Sequence, residues 1–184
     1  MKAKHSKRLS GFTMIELLVV LVIIAITLAF GLPSFQAVIA SSRLTNAANS
    51  MVTALQRARS EAIKTNRLVT VMNVNNNSAW QDGWIVFVDK NANDYQDRDS
   101  DPNIDEPTIS AFEAINSNLT VKNAFFGSSD FIVYRPDGRS NSNGRFTFCS
   151  SPDVGDFRRV VIAPTGRVRV ETLKDMNYAV ADCP

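Results

Sequence analysis

The chain has 184 residues, 45% hydrophobic and 21% charged, with a formal net charge of +2. That is enough apolar material for one domain with a sizeable core. Lys2, Lys4, Lys7 and Arg8 supply +4 before Gly11, so the rest of the chain sums to −2, and overall charge does not argue for nucleic acid. In chain order, the first element predicted is an apolar stretch behind this basic leader. From Leu17 to Leu32 only Thr27 is polar, and Phe12 to Phe35 is 24 residues. As a helix that is about 36 Å, enough to cross about 30 Å of hydrocarbon. The first eleven residues hold no acid, and positive flanks stay cytoplasmic. Glu16 is a lone carboxylate at the mouth of this stretch; a charge at a bilayer centre costs roughly 2.5–3.5 kcal/mol and less near the interface, so a partner is expected for it. The small-residue break at Gly11 precedes the apolar core, whereas an ordinary secretory cleavage site follows it. A plain signal anchor is the other reading of the same residues.

The run Gly11-Phe12-Thr13-Met14-Ile15-Glu16-Leu17 resembles the prepilin motif of type IV pilins and type II secretion pseudopilins. The resemblance implies cleavage after Gly11 by a prepilin peptidase and methylation of the new amino terminus on Phe12. It also implies that Glu16 pairs with the N-terminal amine of a neighbouring subunit, which agrees with the need of a buried carboxylate for a cation. Pro33 matches the family's helix-kinking proline; a helix simply leaving the membrane is the alternative there. The expected partners are other pilins or pseudopilins, the prepilin peptidase and the inner membrane. The expected topology is a single pass with a cytoplasmic N-terminus and a periplasmic head, filament-associated after assembly.

The divisions expected are a leader over residues 1–11, a transmembrane helix over 12–35, an amphipathic continuation of the helix over 36–66 and a β-rich head over 67–184. Leu44, Ala48, Met51, Leu55, Ala58 and Ala62 step by four and three, which places them on one helical face. One helix from Phe12 to about Lys64 follows, with that stripe as core and Arg57 and Glu61 on the polar side. After Asn66 the period becomes strand-like: Leu68-Met72, Trp84-Val88, Phe131-Tyr134, Arg145-Cys149, Arg158-Ala163 and Arg167-Thr172. Turn residues separate them, including Pro136-Asp137-Gly138 and Pro164-Thr165-Gly166. Helix first and antiparallel sheet second is an α+β fold, the type IV pilin-like arrangement that the resemblance implies.

Residues 82–113 hold nine acids and two bases. Asp89, Asn91, Asn93 and Asp97 suggest an oxygen-ligand loop, but Asp94 stands where the EF-hand glycine belongs and Ser100 where its bidentate glutamate belongs. A solvated hairpin loop is the reading adopted, with no metal and no cofactor assigned. Trp84-Ile85-Val86-Phe87-Val88-Asp89 with its acidic loop resembles the H-type pseudopilin and FimT/FimU branch. Cys149 and Cys183 fall on the side that the orientation places outside the cytoplasm, where disulfides persist. Their bridge would close a loop of 35 residues and contribute roughly 3–4 kcal/mol by the chain-entropy argument; two free buried thiols are the alternative. The only histidine, His5, lies in the leader, and no nucleophile–base constellation or phosphate loop is visible, so no enzyme is expected.

Residues 135–174 hold eight bases and four acids. In Gly166-Arg167-Val168-Arg169-Val170 the alternation puts Arg167 and Arg169 on one strand face, about 6.5–7 Å apart, with the valines toward the core. That spacing is close to successive phosphates on one nucleic-acid strand. Arg158 and Arg159 open the preceding strand, and Arg135, Arg139 and Arg145 flank the loop Pro136 to Gly144. Arginine suits phosphate because its planar fork donates two hydrogen bonds at once. Gly166-Arg167-Val168-Arg169 resembles the GRxR motif of FimT, a minor pilin that binds DNA during natural transformation. The resemblance implies roles for Gly166, Arg167 and Arg169 alone. Charge extends the candidate patch to Arg139, Arg145, Arg158 and Arg159, and makes DNA, held by its phosphates, a further partner. A solvated strand face paired with acids of the same protein is the competing reading, as is an H-type pseudopilin of type II secretion that binds no DNA.

Overall fold

The computed structural model describes residues 11–75, 79–92, 106–115, 117–126, 130–150, 157–172 and 183, with helical side chains described except at 29–34 and 37. Helix α1 spans Met14–Thr65. Thr13 starts it: its hydroxyl oxygen accepts the Glu16 N–H at 3.2 Å, one half of the Thr-x-x-Glu capping box. Lys64 lies in the last turn, where a cation favours the helix dipole. Asn66 follows at φ 54°, the left-handed conformation that ends many helices.

The chain divides into two compact units, residues 1–39 and 40–184. In the first, every described residue from Gly11 to Leu28 is exposed. A helix apolar on all sides buries itself in lipid or among other helices. Among the described residues no helix is long and apolar enough to cross a membrane; the side chains of residues 29–34, inside the apolar stretch, are not among those described.

In the second unit the predicted stripe is core: Leu44, Ala48, Met51, Leu55, Ala58 and Ala62 are all buried. Glu61 pairs with Lys64 at 3.6 Å, one turn away. Among the described residues eight strands follow: β1 Leu68–Asn73, β2 Trp84–Asp89, β3 Thr108–Phe112, β4 Leu119–Phe126, β5 Phe131–Tyr134, β6 Asn143–Ser150, β7 Phe157–Ile162 and β8 Val168–Thr172. They form two antiparallel sheets, ordered β3-β2-β1-β5 and β4-β6-β7-β8. Six strands match the sequence expectation. The other two, β3 and β4, close one edge of each sheet, and their exposed positions dilute the apolar signal.

One cluster joins the helix stripe to both sheets. A short 3-10 turn at Trp80–Asp82 sends Trp80 edge-on to Phe146 at 4.7 Å, and Phe125 meets the same ring at 4.8 Å. Trp84 stacks on Phe112. Aromatic pairs in these geometries add about 0.5–1.5 kcal/mol each beyond area burial. Cys149 and Cys183 are joined as a disulfide. The acidic stretch is anchored at its described ends: Asp89 and Glu106 are buried, Asp89 accepts the Ala92 N–H and Glu106 accepts the Lys90 N–H. Asn93, Asp94, Asp97 and Ser100 lie outside the described residues.

Candidate functional site

The register of the second sheet decides which charged side chains meet. Ala124 pairs with Arg145, Arg145 with Val161 and Val161 with Arg169. The next row reads Lys122, Thr147, Arg159 and Glu171. On the other side Phe126 pairs with Asn143, and beyond the ladder the Ala163 N–H donates to the Arg167 carbonyl at 3.0 Å, which continues this row to Arg167. Opposed residues share a face and residues two apart on a strand do too. These three rows therefore form the outer face, opposite the buried Phe146, Phe148, Val160 and Ile162. They hold five cations, Lys122, Arg145, Arg159, Arg167 and Arg169, against one carboxylate, Glu171.

The face joins Arg145, Arg159, Arg167 and Arg169 as expected and separates Arg158 from them. Arg158 alternates onto the inner side, donating to the Phe157 carbonyl at 2.9 Å and the Ser41 hydroxyl at 3.4 Å. The valine alternation also needs correction. Val168 packs against the core, but Val170 is 39% exposed, because β8 is the sheet edge and has a neighbour on one side only.

Arg169 and Arg159 each meet a neighbour on the same face. Arg169 donates to Glu171 on its own strand through Nε at 2.8 Å and Nη2 at 2.7 Å. The Arg169 side chain is 61% exposed and that of Glu171 20%; an ion pair at the surface contributes about 0–1 kcal/mol, and a phosphate could displace it. The Arg159 guanidinium lies 5.5 Å from the centre of the Phe157 ring, within cation–π range. Arg145, Arg167 and Arg169 are exposed and Arg159 is half-buried.

Two turns of the same construction flank this face. Pro136-Asp137-Gly138-Arg139 and Pro164-Thr165-Gly166-Arg167 both place glycine at positive φ, 77° and 75°. In each, the glycine N–H donates 2.8 Å back to the residue before the proline, Arg135 or Ala163. The same residue then donates to the carbonyl of the following arginine, Arg139 at 2.9 Å or Arg167 at 3.0 Å. The turns abut so closely that a Cβ on Gly166 would overlap the Gly138 carbonyl oxygen. Arg59 of α1 ties both down, donating to the Gly138 carbonyl at 3.0 Å and the Thr165 carbonyl at 3.3 Å. Gly166 thus serves backbone approach, and the abutting turns release the exposed Arg139 and Arg167 from adjacent points.

Beneath them Tyr134 is fully buried, and its hydroxyl has no hydrogen-bond partner among the described residues. Burial pushes its phenol well above the ordinary tyrosine range, with the Arg59 charge acting weakly against it.

A cavity of about 610 Å³ opens on the outer face, lined among others by Phe126, Asn143, Arg145, Arg159, Pro164 and Arg169. Phe126 is 80% exposed, although burying a phenylalanine side chain stabilises by about 1.5–3 kcal/mol. Phe126, Lys122 and Arg59 were missed at the level of sequence. Only the repeated Pro-x-Gly-Arg offered a signal for this region.

A long N-terminal helix followed by antiparallel sheets defines a type IV pilin-like fold. It is similar to the minor pilin FimU of Pseudomonas aeruginosa (TM-score 0.54, 18% identity, 71% of this chain and 90% of that one). It is also similar to the minor pseudopilin EpsH of the Vibrio cholerae type 2 secretion system (TM-score 0.50, 14% identity, 71% and 97%). In sequence the chain is 29% identical over 178 residues to the pilin-like protein PilA1 of Thermus thermophilus, covering 88% of this chain and 97% of that one. Residues 6–32 match the prokaryotic N-terminal methylation motif, and residues 47–166 match the family described as type II transport protein GspH. The chain belongs to the GspH family. It is a pilin or pseudopilin, a structural component that assembles with other pilins or pseudopilins and not an enzyme.

Proposed function

We propose that this chain is a minor pilin of a type IV filament, placed at the tip or in priming, whose head captures DNA during uptake. In this reading residues 1–11 are a leader cleaved after Gly11, Phe12 is methylated, and residues 12–35 hold the chain in the inner membrane before assembly. The head is periplasmic, and Glu16 meets the amino terminus of a neighbouring subunit. The observation that carries DNA capture is the outer face of the second sheet, where five cations face one carboxylate and both arginines of the GRxR motif take part. Arginine forks hold phosphate oxygens in pairs. Such contacts fix a nucleic acid in place and carry no sequence information.

The test is duplex binding by the processed full chain in non-ionic detergent across a salt series. Each neutralised phosphate contributes about −0.9 to the slope of log K against log salt. Arg167→Gln with Arg169→Gln is expected to make the slope shallower by about 2 and to weaken binding at low salt. An unchanged slope with the fold intact would refute the assignment.

A second reading is favoured by the Arg169–Glu171 pair and by the type II transport description of the family. In it the chain is an H-type pseudopilin in protein secretion, and the arginines are a solvated face or a protein contact. No duplex binding at low salt selects it.

A further inference from the structure

Resting on the DNA-capture reading, we propose that Phe126 is a stacking platform for an unpaired base, so that the outer face of the second sheet takes single-stranded nucleic acid. Among the described residues of the head, Phe126 is the exposed aromatic, at the end of β4. It stands in the row that ends at Arg167, beside Asn143. Arg145 is its diagonal neighbour on the next strand, which places the two about 7–8 Å apart. Arg169 lies two strands beyond Arg145 in the same row, roughly 10 Å away.

The ring and three guanidiniums therefore line one concave space of about 610 Å³, within the roughly 300–1,000 Å³ typical of small-ligand clefts. An aromatic plane beside a cationic track is how single strands are held without sequence preference, because every base has a π-face. A base inside a duplex offers no such face. A protein partner would be served by the ring but has less use for Arg145, Arg159 and Arg169 around it with Glu171 as the one acid of those rows. The half-buried Asn143 amide, next to the ring, can meet a base edge or a phosphate oxygen.

The experiment compares a labelled oligothymidine single strand with a duplex of equal length on the processed full chain in non-ionic detergent at fixed low salt. Phe126→Ala is expected to weaken single-strand binding roughly 5- to 100-fold, leaving duplex binding unchanged. Phe126→Trp is expected to restore it. Equal loss on both probes, or no loss on the single strand, overturns the stacking role while the duplex reading stands. Absence of binding of either probe to the wild type overturns both. Phe126→Ala that abolishes filament incorporation and leaves single-strand binding intact makes the ring a subunit contact, and also overturns the proposal.

Discussion

Gly138 and Gly166 sit at equivalent points of two matching turns with nearly the same φ, yet alanine is expected to cost very different amounts at the two sites. The left-handed backbone alone costs a non-glycine residue about 1–2 kcal/mol. At Gly138 less is added: the new Cβ would stand 3.0 Å from Ile63 Cδ1, the end of a side chain able to shift, and 3.3 Å from Arg59 Nε, which needs to give by only a few tenths of an ångström and keeps its bond to the carbonyl. At Gly166 the Cβ would overlap the Gly138 carbonyl oxygen and lie 3.1 Å from the ring of the buried Tyr134. The two turns must part, and the Arg59 bond to that carbonyl goes with them. A hydrogen bond from a charged donor contributes about 1.5–3 kcal/mol. Gly166→Ala is thus expected to destabilise by about 3–5 kcal/mol, against about 1–2 kcal/mol for Gly138→Ala. The gap of about 2 kcal/mol corresponds to roughly 4–8 °C for a head of this size. Both tryptophans, Trp80 and Trp84, are buried in the head core. Tryptophan fluorescence during urea and thermal unfolding of the detergent-solubilised chain therefore reports on the head core, including the half of α1 packed in it. Equal losses in the two variants would refute the abutting-turn argument.

Other outcomes follow from the same geometry. Because burial raises the Tyr134 phenol in the folded state, its contribution is intact below the unfolded value of about 10 and is lost as pH rises above it, at up to about 1.4 kcal/mol per pH unit. Urea midpoints should fall on this alkaline limb in the wild type and fall less in Tyr134→Phe, which also removes an unpartnered hydroxyl at little cost; parallel curves would contradict it. Reducing the Cys149–Cys183 bridge should cost roughly 3–4 kcal/mol, read as a lower denaturant midpoint with reductant, and an unchanged midpoint would mean that the bridge constrains little. Glu16 has two readings that one substitution separates. A capping box accepts glutamine at its third position, whereas pairing with a neighbour's amine needs the charge. Glu16→Gln should therefore block filament incorporation while leaving helix content unchanged, and normal incorporation would remove the charge-pair role.

The helix and most strands were legible because each has a period that one residue type enforces. The Leu44 to Ala62 stripe buries on one side of α1, and the β-branched runs alternate between turn residues that can be read directly. Strands β3 and β4 were not legible for a related reason. Both are edge strands with exposed positions, so Lys122, Asn123 and Ala124 interrupt the apolar signal that marks a half-buried strand. Losing β4 from the reading also lost Phe126, since a ring's exposure depends on its strand having a solvent face. The GRxR arginines were placed on a common face correctly because a period of two is local. The buried fate of Val170 was read too strongly, because local alternation says nothing about whether the core extends as far as the sheet edge.

Arg158-Arg159 makes the limit plain. In the sequence the two are one basic doublet and invite a joint role. In a strand neighbouring side chains must leave on opposite faces, so the doublet is split: Arg159 joins the outer rows and Arg158 reaches the Ser41 hydroxyl on the helix side. A strand can give a surface patch at most every second residue, and the rest of the patch has to come from other strands. Here that means Lys122 from β4, Arg145 from β6 and Arg167 with Arg169 from the β7–β8 hairpin, aligned by registers set across non-adjacent parts of the chain. A one-residue slip in any of those pairings would turn that strand's charges inward. The buried rows of Phe146, Phe148, Val160 and Ile162 forbid such a slip. The hydrophobic core thus fixes the charge pattern of the outer face, and a substitution in those inner rows that shifted register would abolish the patch without touching a single arginine.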